Sequence, residues 1–330
     1  MLDSRSEKEY NHAHIPGAIN LPLLNNEHRN LVGLEYKLHG KSAAVTLGFE
    51  LAGPLFHSFI KRVKELTPKR EIMIYCWRGG MRSSIMTWIL SLAGYKVYML
   101  RGGYKVFRKL VLEQFGKQIK IKIIGGNTGS GKTEIIKELK NQHQQVIDLE
   151  GMANHKGSAF GHLGEKPQPS TEHFENLLAM QLLSFSENRI VWVEGESRTI
   201  GSIKIPDAFF DQLHRADLIE LICSYELRKS RILEEYWKFS KKELAICTSK
   251  LAKKLGNLKL NEALAALEDE RQDDWVEIML EYYDKNYSYS MLERKSELRI
   301  PVVREDHHTT KDIAKRLINL NGIPAAKVIQ

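Results

Sequence analysis

Two stretches of this chain carry residues that could do chemistry on anions. The first is Cys76-Trp77-Arg78-Gly79-Gly80-Met81-Arg82-Ser83, which follows the apolar run Ile72-Met73-Ile74-Tyr75 and precedes the helix-like Ser84 to Leu90. A cysteine on a glycine-rich turn that opens a helix has backbone N–H groups and two guanidinium groups near its sulfur. Both favour the thiolate, which is the nucleophilic form. Cys76 is therefore the candidate nucleophile, and Arg78, Gly79, Gly80, Arg82 and Ser83 are the candidate cradle for an anionic donor. The second stretch is Gly126-Asn127-Thr128-Gly129-Ser130-Gly131-Lys132-Thr133, a full match to G-x-x-x-x-G-K-[ST] after the apolar run Ile121 to Ile124. Such a loop wraps a phosphate in backbone N–H groups, with the lysine adding charge. Thr133 would bind Mg²⁺ if a metal is present.

The partners of the phosphate loop are less well marked. Trp192-Val193-Glu194 ends a strand with Glu, so Glu194 and Glu196 are candidates to position Mg²⁺ or act as a base; a solvated strand edge is the plain alternative. Ser197 and Arg198 follow directly and could read a second anion or a nucleic-acid backbone, or be a helix cap and a surface arginine. His155, Lys156 and Ser158 lie in a glycine-rich loop that would overlook the phosphate. Cys223, in the run Leu221-Ile222-Cys223, reads as structural, and so, less clearly, does Cys247. His14 fits a structural hydrogen-bonding role. No Cys/His spacing suggests zinc, and no metal ligand set is assigned.

The elements that must hold these residues alternate between strand and helix. Residues 72–75 and 97–100 read as strands, Leu51 to Leu66 as one helix ended by Thr67-Pro68, and the segment after Cys76 as a helix to Leu92. From about Lys120 the order is strand, phosphate loop and a helix over Glu134 to Asn141, with later strands over 146–148 and 189–193. Strands separated by helices argue parallel sheets and an α/β fold. Residues 225–255 read as helical and basic, with nine Lys/Arg against four Glu, including Arg228, Arg231, Lys241, Lys242, Lys253 and Lys254. Tyr236 and Trp237 sit between them, so the stretch suits phosphate neutralisation and base stacking. Residues 258–286 and 312–320 are further helix candidates.

At 330 residues two domains are expected, over 1–115 and 116–330. The apolar share of 42% is that of an ordinary globular protein. No secretory signal or uninterrupted apolar run of spanning length is visible, so no membrane partner is expected. Three cysteines do not make a disulfide framework, which fits a reduced, cytoplasmic setting. A net charge of +8 permits a nucleic-acid partner without demanding one.

Asp3-Ser4-Arg5, His14-Ile15-Pro16-Gly17-Ala18, Cys76 and Arg101-Gly102-Gly103-Tyr104 resemble a rhodanese domain. The string Tyr75 to Ser83, followed by a P-loop domain, resembles the tRNA 2-selenouridine synthases. His155-Lys156-Gly157-Ser158-Ala159-Phe160-Gly161, Phe174-Glu175-Asn176, Val193 to Gly201 and Tyr282-Tyr283-Asp284 carry the same resemblance. Lys156 stands where the family often has Arg. A rhodanese has a strand and helix ahead of the Asp, so the sheet's first strand is expected to be reduced or truncated. The resemblance implies a rhodanese-like parallel sheet domain, then a P-loop NTPase-like α/β domain with a helical C-terminal part. It implies replacement of sulfur by selenium in a wobble 2-thiouridine, with selenophosphate as donor and an S-geranyl intermediate made from geranyl diphosphate. The expected partners are a tRNA anticodon loop and an enzyme that supplies selenophosphate. On the residues alone the P-loop suits ATP, GTP or an isoprenoid diphosphate; the missing nucleotide-base motif tilts the choice to geranyl diphosphate. The competing expectation is a rhodanese-type sulfurtransferase fused to an ATP-dependent kinase or regulatory P-loop domain.

Overall fold

A computed structural model describes residues 1–292, 294, 298–305 and 307–320. It divides into two compact units, Met1–Phe115 with Glu172–Met180, and Gly116–Thr171 with the chain from Gln181 onward.

In the first unit the order is β1 (Leu2–Asp3), α1 (Glu7–His12), β2 (Ile19–Asn20), α2 (Asn26–Ala52), α3 (Phe56–Leu66), β3 (Glu71–Tyr75), α4 (Met81–Leu92), β4 (Lys96–Met99) and α5 (Gly103–Gln114). The sheet is parallel, with order β2-β1-β3-β4. β1 is only two residues long, yet it pairs with both β2 and β3. Alternation in β3 buries Ile72 and Ile74 against Phe59, Val63, Met86 and Leu90. The expected single helix over 51–66 is broken, because Gly53–Leu55 forms a tight 3-10 turn around Pro54 and proline lacks the N–H a helix interior needs.

The stretch Asn26–Leu66 is, by length and composition, apolar enough to cross a membrane, although polar residues interrupt its apolar runs. It is not one helix. Gly40, at φ +82° and ψ −174°, interrupts α2, and Gly53–Leu55 tightens to a 3-10 turn ahead of α3.

The second unit continues with β5 (Ile121–Gly126), α6 (Lys132–Asn141), β6 (Gln145–Ile147), α7 (Leu149–Ala153), α8 (Thr171–Leu183), β7 (Val191–Glu194), β8 (Thr199–Ile200), β9 (Ile203–Lys204), α9 (Asp207–Arg215), β10 (Asp217–Cys223) and α10 (Tyr225–Tyr236). Then come α11 (Lys241–Ser249), α12 (Ala252–Leu255), α13 (Asn257–Glu268), α14 (Gln272–Leu292), β11 (Arg299–Arg304) and α15 (Thr310–Asn319). Five parallel strands lie in the order β11-β10-β5-β7-β6, and β8 and β9 form a separate small pair. β5, which feeds the phosphate loop, is central. Ile135, Ile136 and Leu139 of α6 and Ile313, Ala314 and Leu317 of α15 turn their helical stripes onto this sheet. A second core joins α10, α11, α13 and α14 through Tyr236, Leu244, Cys247, Trp275 and Leu280.

Most of α8 belongs to the first unit: Glu172–Met180, which contains Phe174-Glu175-Asn176, packs there. Tyr104 Oη donates to Glu172 (2.6 Å), Arg108 donates to Asn176 Oδ1 (2.6 Å), and buried Asn176 donates to the His14 carbonyl (2.9 Å).

Candidate active sites

In the first unit, β3 delivers Cys76 to a turn closed by the N-terminus of α4. Cys76 is 4% exposed. The Gly80 N–H donates to it at 3.3 Å, and Ser83 Oγ lies 3.2 Å away. Burial pushes the thiol pKa up. Hydrogen bonds from the Ser83 side chain and from the backbone at Ser83, Arg78 and Gly80 outweigh that, leaving Cys76 below its ordinary value.

The residues around this turn explain the spacing of the sequence motifs. Tyr104 N–H donates to the Cys76 carbonyl and Lys105 N–H to that of Trp77, both at 2.9 Å. A Cβ on Gly103 would lie 2.2 Å from the Cys76 carbonyl oxygen, so only glycine lets the second turn pack under the first. Buried Arg5 pairs with Asp3 (2.6 Å), donates to the Ala13 carbonyl (2.7 Å) and covers the Tyr104 ring (3.9 Å). Arg78 is exposed and free to face an incoming anion. Arg82 is not: Glu9 holds its guanidinium at 2.6 and 3.3 Å. The expected donor contact at Arg82 is thus replaced by a local ion pair.

In the second unit the carboxyl ends of the parallel strands gather the functional side chains, the usual place for ligands in an open α/β sheet. Gly126, Gly129 and Gly131 have φ of +144°, +82° and +84°, which turns the loop's N–H groups inward. Lys132 Nζ donates to the Gly126 carbonyl at 2.9 Å, so its charge lies over the loop. Thr133 Oγ1 donates to Glu150 Oε2 at 3.1 Å.

Glu194, at the end of β7, is fully buried; Oε1 accepts from the Glu150 N–H at 2.8 Å, while Oε2 has no hydrogen-bond partner among the described residues. Carboxylate oxygens of Glu150, Glu194 and Glu196 all lie within 4.8 Å of one another. Burial is the main cause that raises all three: Glu194 well above the carboxylate range, with Glu150, Glu196 and Asp148 adding repulsion; Glu196 to about 8, with Glu150 and Asp148 adding; and Glu150 to about 7, with Asp148 and Glu235 adding, while Lys132 opposes the rise at the last two. Hard oxygen donors around an open buried oxygen fit a divalent cation beside Thr133. The sequence reading missed Glu150. Its signal was present: Asp148-Leu149-Glu150 follows a predicted strand at the same edge as the phosphate loop.

Several expected substrate contacts have structural work instead. Arg228 is buried, donates to the Thr128 carbonyl at 2.8 Å and pairs with Asp284, which also accepts from Asn127 at 3.0 Å. It braces the phosphate loop and is not offered to RNA. Arg231 packs against the same loop, 3.4 Å from the Gly129 carbonyl. Tyr236 and Trp237, expected to stack on bases, pack instead on Phe160 (5.6 Å) and Trp275 (5.9 Å) at the helical core, Tyr236 buried and Trp237 half-buried. Buried His155 stacks near His162, and Lys156 pairs with Glu235 (2.9 Å) and Glu165 (3.5 Å). Ser158 Oγ accepts from the Phe160 N–H (3.2 Å), closing its own loop. Exposed Ser197 adjoins Arg198, which pairs with Asp207. Lys241 pairs with Glu270 (3.0 Å), and Lys242 is exposed. Cys223 donates to the Ser130 carbonyl (3.4 Å), and burial raises its pKa, so it stays a thiol.

Comparison with known proteins agrees with both units. Residues 1–110 match the rhodanese-like domain model, and residues 119–319 match the tRNA 2-selenouridine synthase AAA domain model. The tRNA 2-selenouridine synthase of Hydrogenovibrio crunogenus is 33% identical over 90% of this chain and 91% of that protein. The protein of the same name from Sulfurovum sp. NBC37-1 is 32% identical over 88% of each chain. That of Nitrosomonas europaea is 38% identical over 72% of this chain, a match spanning 63% of its own length. With a thiolate turn, a phosphate loop and full-length relatives in agreement, the chain belongs to the tRNA 2-selenouridine synthase family.

Proposed function

We propose that the protein replaces the sulfur of a wobble 2-thiouridine in tRNA with selenium from selenophosphate, through an S-geranyl intermediate made from geranyl diphosphate. The observation that carries this reading is the lowered Cys76 thiol, buried yet held by the Gly80 N–H and Ser83 hydroxyl. A thiolate so placed can attack C2 of the S-geranyl base as geranylthiolate leaves, and selenide from selenophosphate then displaces Cys76 as a thiolate, a redox-neutral role that a buried structural cysteine cannot fill. Arg78 and the turn's N–H groups suit a phosphate-bearing donor.

The second unit supports geranyl transfer. The tRNA sulfur forms a bond to C1 of the geranyl group as the C1–O bond breaks, and the diphosphate departs onto the loop N–H groups and Lys132. A divalent cation on Glu150, Glu194 and Glu196 would neutralise charge on that leaving group. The substrates place the reaction in the cytoplasm, downstream of an enzyme that makes selenophosphate.

The test is mass analysis of nucleosides from tRNA containing 2-thiouridine, incubated with the protein, selenophosphate and geranyl diphosphate. Both S-geranyl-2-thiouridine and 2-selenouridine are expected. Thiosulfate-to-cyanide transfer with ATP hydrolysis and unmodified tRNA would favour the sulfurtransferase–kinase reading instead.

A further inference from the structure

The charge changes sign across the phosphate loop. Glu150, Glu194 and Glu196 line one flank. The other flank is built by Arg231 of α10 and Arg304 at the end of β11. Gly131 is where they meet the loop: a Cβ there would lie 2.4 Å from Arg304 Nη1 and 2.7 Å from Arg231 Nη1. Both guanidiniums therefore rest on the loop backbone itself.

Among the described residues this pair is short of negative charge. Arg304 is 5% exposed, and its Nε is buried without a hydrogen-bond partner. Its Nη groups reach Thr310 Oγ1 at 3.1 Å and Glu134 at 3.4 and 3.5 Å. The same Glu134 carboxylate, half exposed, serves Arg231 at 3.4 Å. One solvent-facing carboxylate at long range thus answers two guanidiniums. Burial, then Arg231, pushes the Arg304 pKa down, which shows how poorly the charge is compensated. A buried, open N–H donor next to a second cation is costly unless something anionic completes it.

We infer that Arg231 and Arg304 form a second phosphate subsite beside the P-loop, taking the outer phosphate of a phosphoanhydride whose inner phosphate sits in the loop. Forked guanidinium donors match phosphate oxygens. The carboxylate flank carries, among the described residues, no positive side chain for the same group, so the pair decides which way the anhydride points. In an isoprenoid diphosphate the ester carbon then faces the carboxylate flank. This last step rests on reading the loop as a diphosphate cradle; the subsite does not.

The readout is the preference of the full chain for pyrophosphate over inorganic phosphate, measured by titration calorimetry. The wild-type protein is expected to prefer pyrophosphate, and R231Q to lose about tenfold or more of that preference. R304K, which keeps the charge but not the fork, should do the same. R231Q removes a partly exposed group, so it decides the matter if R304K lowers the melting temperature. A folded R231Q protein that keeps the wild-type preference overturns the subsite, whether its affinities fall together or stay put. Displacement of pyrophosphate by geranyl diphosphate supports the orientation drawn above. Displacement by ADP alone overturns that orientation, and the reading of the loop's ligand with it, while the R231Q result still stands on its own.

Discussion

At the scale of single residues, Cys76 and Lys132 divide the chemistry. The Cys76 sulfur accepts from the Gly80 N–H at 3.3 Å, a contact that rewards negative charge on sulfur. A serine hydroxyl stays protonated at neutral pH and is both a weaker nucleophile at C2 of the base and a poorer leaving group than a thiolate. C76S should therefore abolish selenium incorporation while leaving geranylation intact, as read from tRNA nucleosides. Loss of both activities in a folded C76S protein would show that the steps are not divided this way. Lys132 lies over the loop, 2.9 Å from the Gly126 carbonyl, where a diphosphate would draw it away. K132A should cut geranylation on the order of a hundredfold, the size of losing one electrostatic contact to a leaving group. Parallel titrations with geranyl diphosphate and ATP identify the ligand, since only the true one should lose affinity.

At the scale of elements, both sites depend on turns at the carboxyl ends of parallel strands. The Arg101-Gly102-Gly103-Tyr104 turn supports the Cys76 turn from below, through the 2.9 Å bond from Tyr104 N–H to the Cys76 carbonyl. Gly103 has φ +59°, and a Cβ there would sit 2.2 Å from that carbonyl. G103A should cost about 1–3 kcal/mol from backbone strain and clash. By shifting Gly80 and Ser83 relative to sulfur, it should also raise the Cys76 thiol pKa. Alkylation rate against pH, with a melting curve, checks this; an unshifted rate profile in a destabilised protein would show that the lower turn supports the fold but not the thiolate.

At the scale of the whole molecule, the three clustered glutamates couple stability to pH. Their folded pKa values lie above the ordinary 4.5, at about 7 for Glu150 and about 8 for Glu196, with Glu194 also raised. The folded chain then holds protons that the unfolded chain has released. Stability from this cluster is full below pH ~4.5 and is lost as pH rises towards 8. The metal-free melting temperature should fall over that window, and Mg²⁺ should restore it more at pH 8 than at pH 5.5, because it replaces the missing protons. E194Q should flatten the pH dependence and remove the Mg²⁺ effect; an E194Q curve parallel to wild type would place the coupling elsewhere. The exposed lysines bear on RNA. Lys242, Lys253 and Lys254 face solvent, and Lys241 has only the exposed Glu270 as ion-pair partner. Reversing all four should flatten the salt dependence of tRNA affinity by about one unit of slope per lysine that meets a phosphate. An unchanged slope would mark this face as solvated only.

What the sequence by itself determined is local chemistry. The Cys76 turn and the eight-residue phosphate loop were legible because each motif is a backbone shape that its own glycines and flanking strand dictate. The strands at 72–75 and 121–124 were legible as short apolar runs. The tertiary structure alone decided which charges are already spent. Arg82 looked free until α1 brought Glu9 to it, and Arg228 looked like an RNA contact until α14 brought Asp284. Tyr236 and Trp237 lie within a basic stretch of the chain, yet Phe160 packs on the first and Trp275 of α14 on the second. The glutamate cluster and the Arg231–Arg304 pair each join residues far apart in sequence. Only the order of strands in a parallel sheet, which no local pattern encodes, puts their ends side by side.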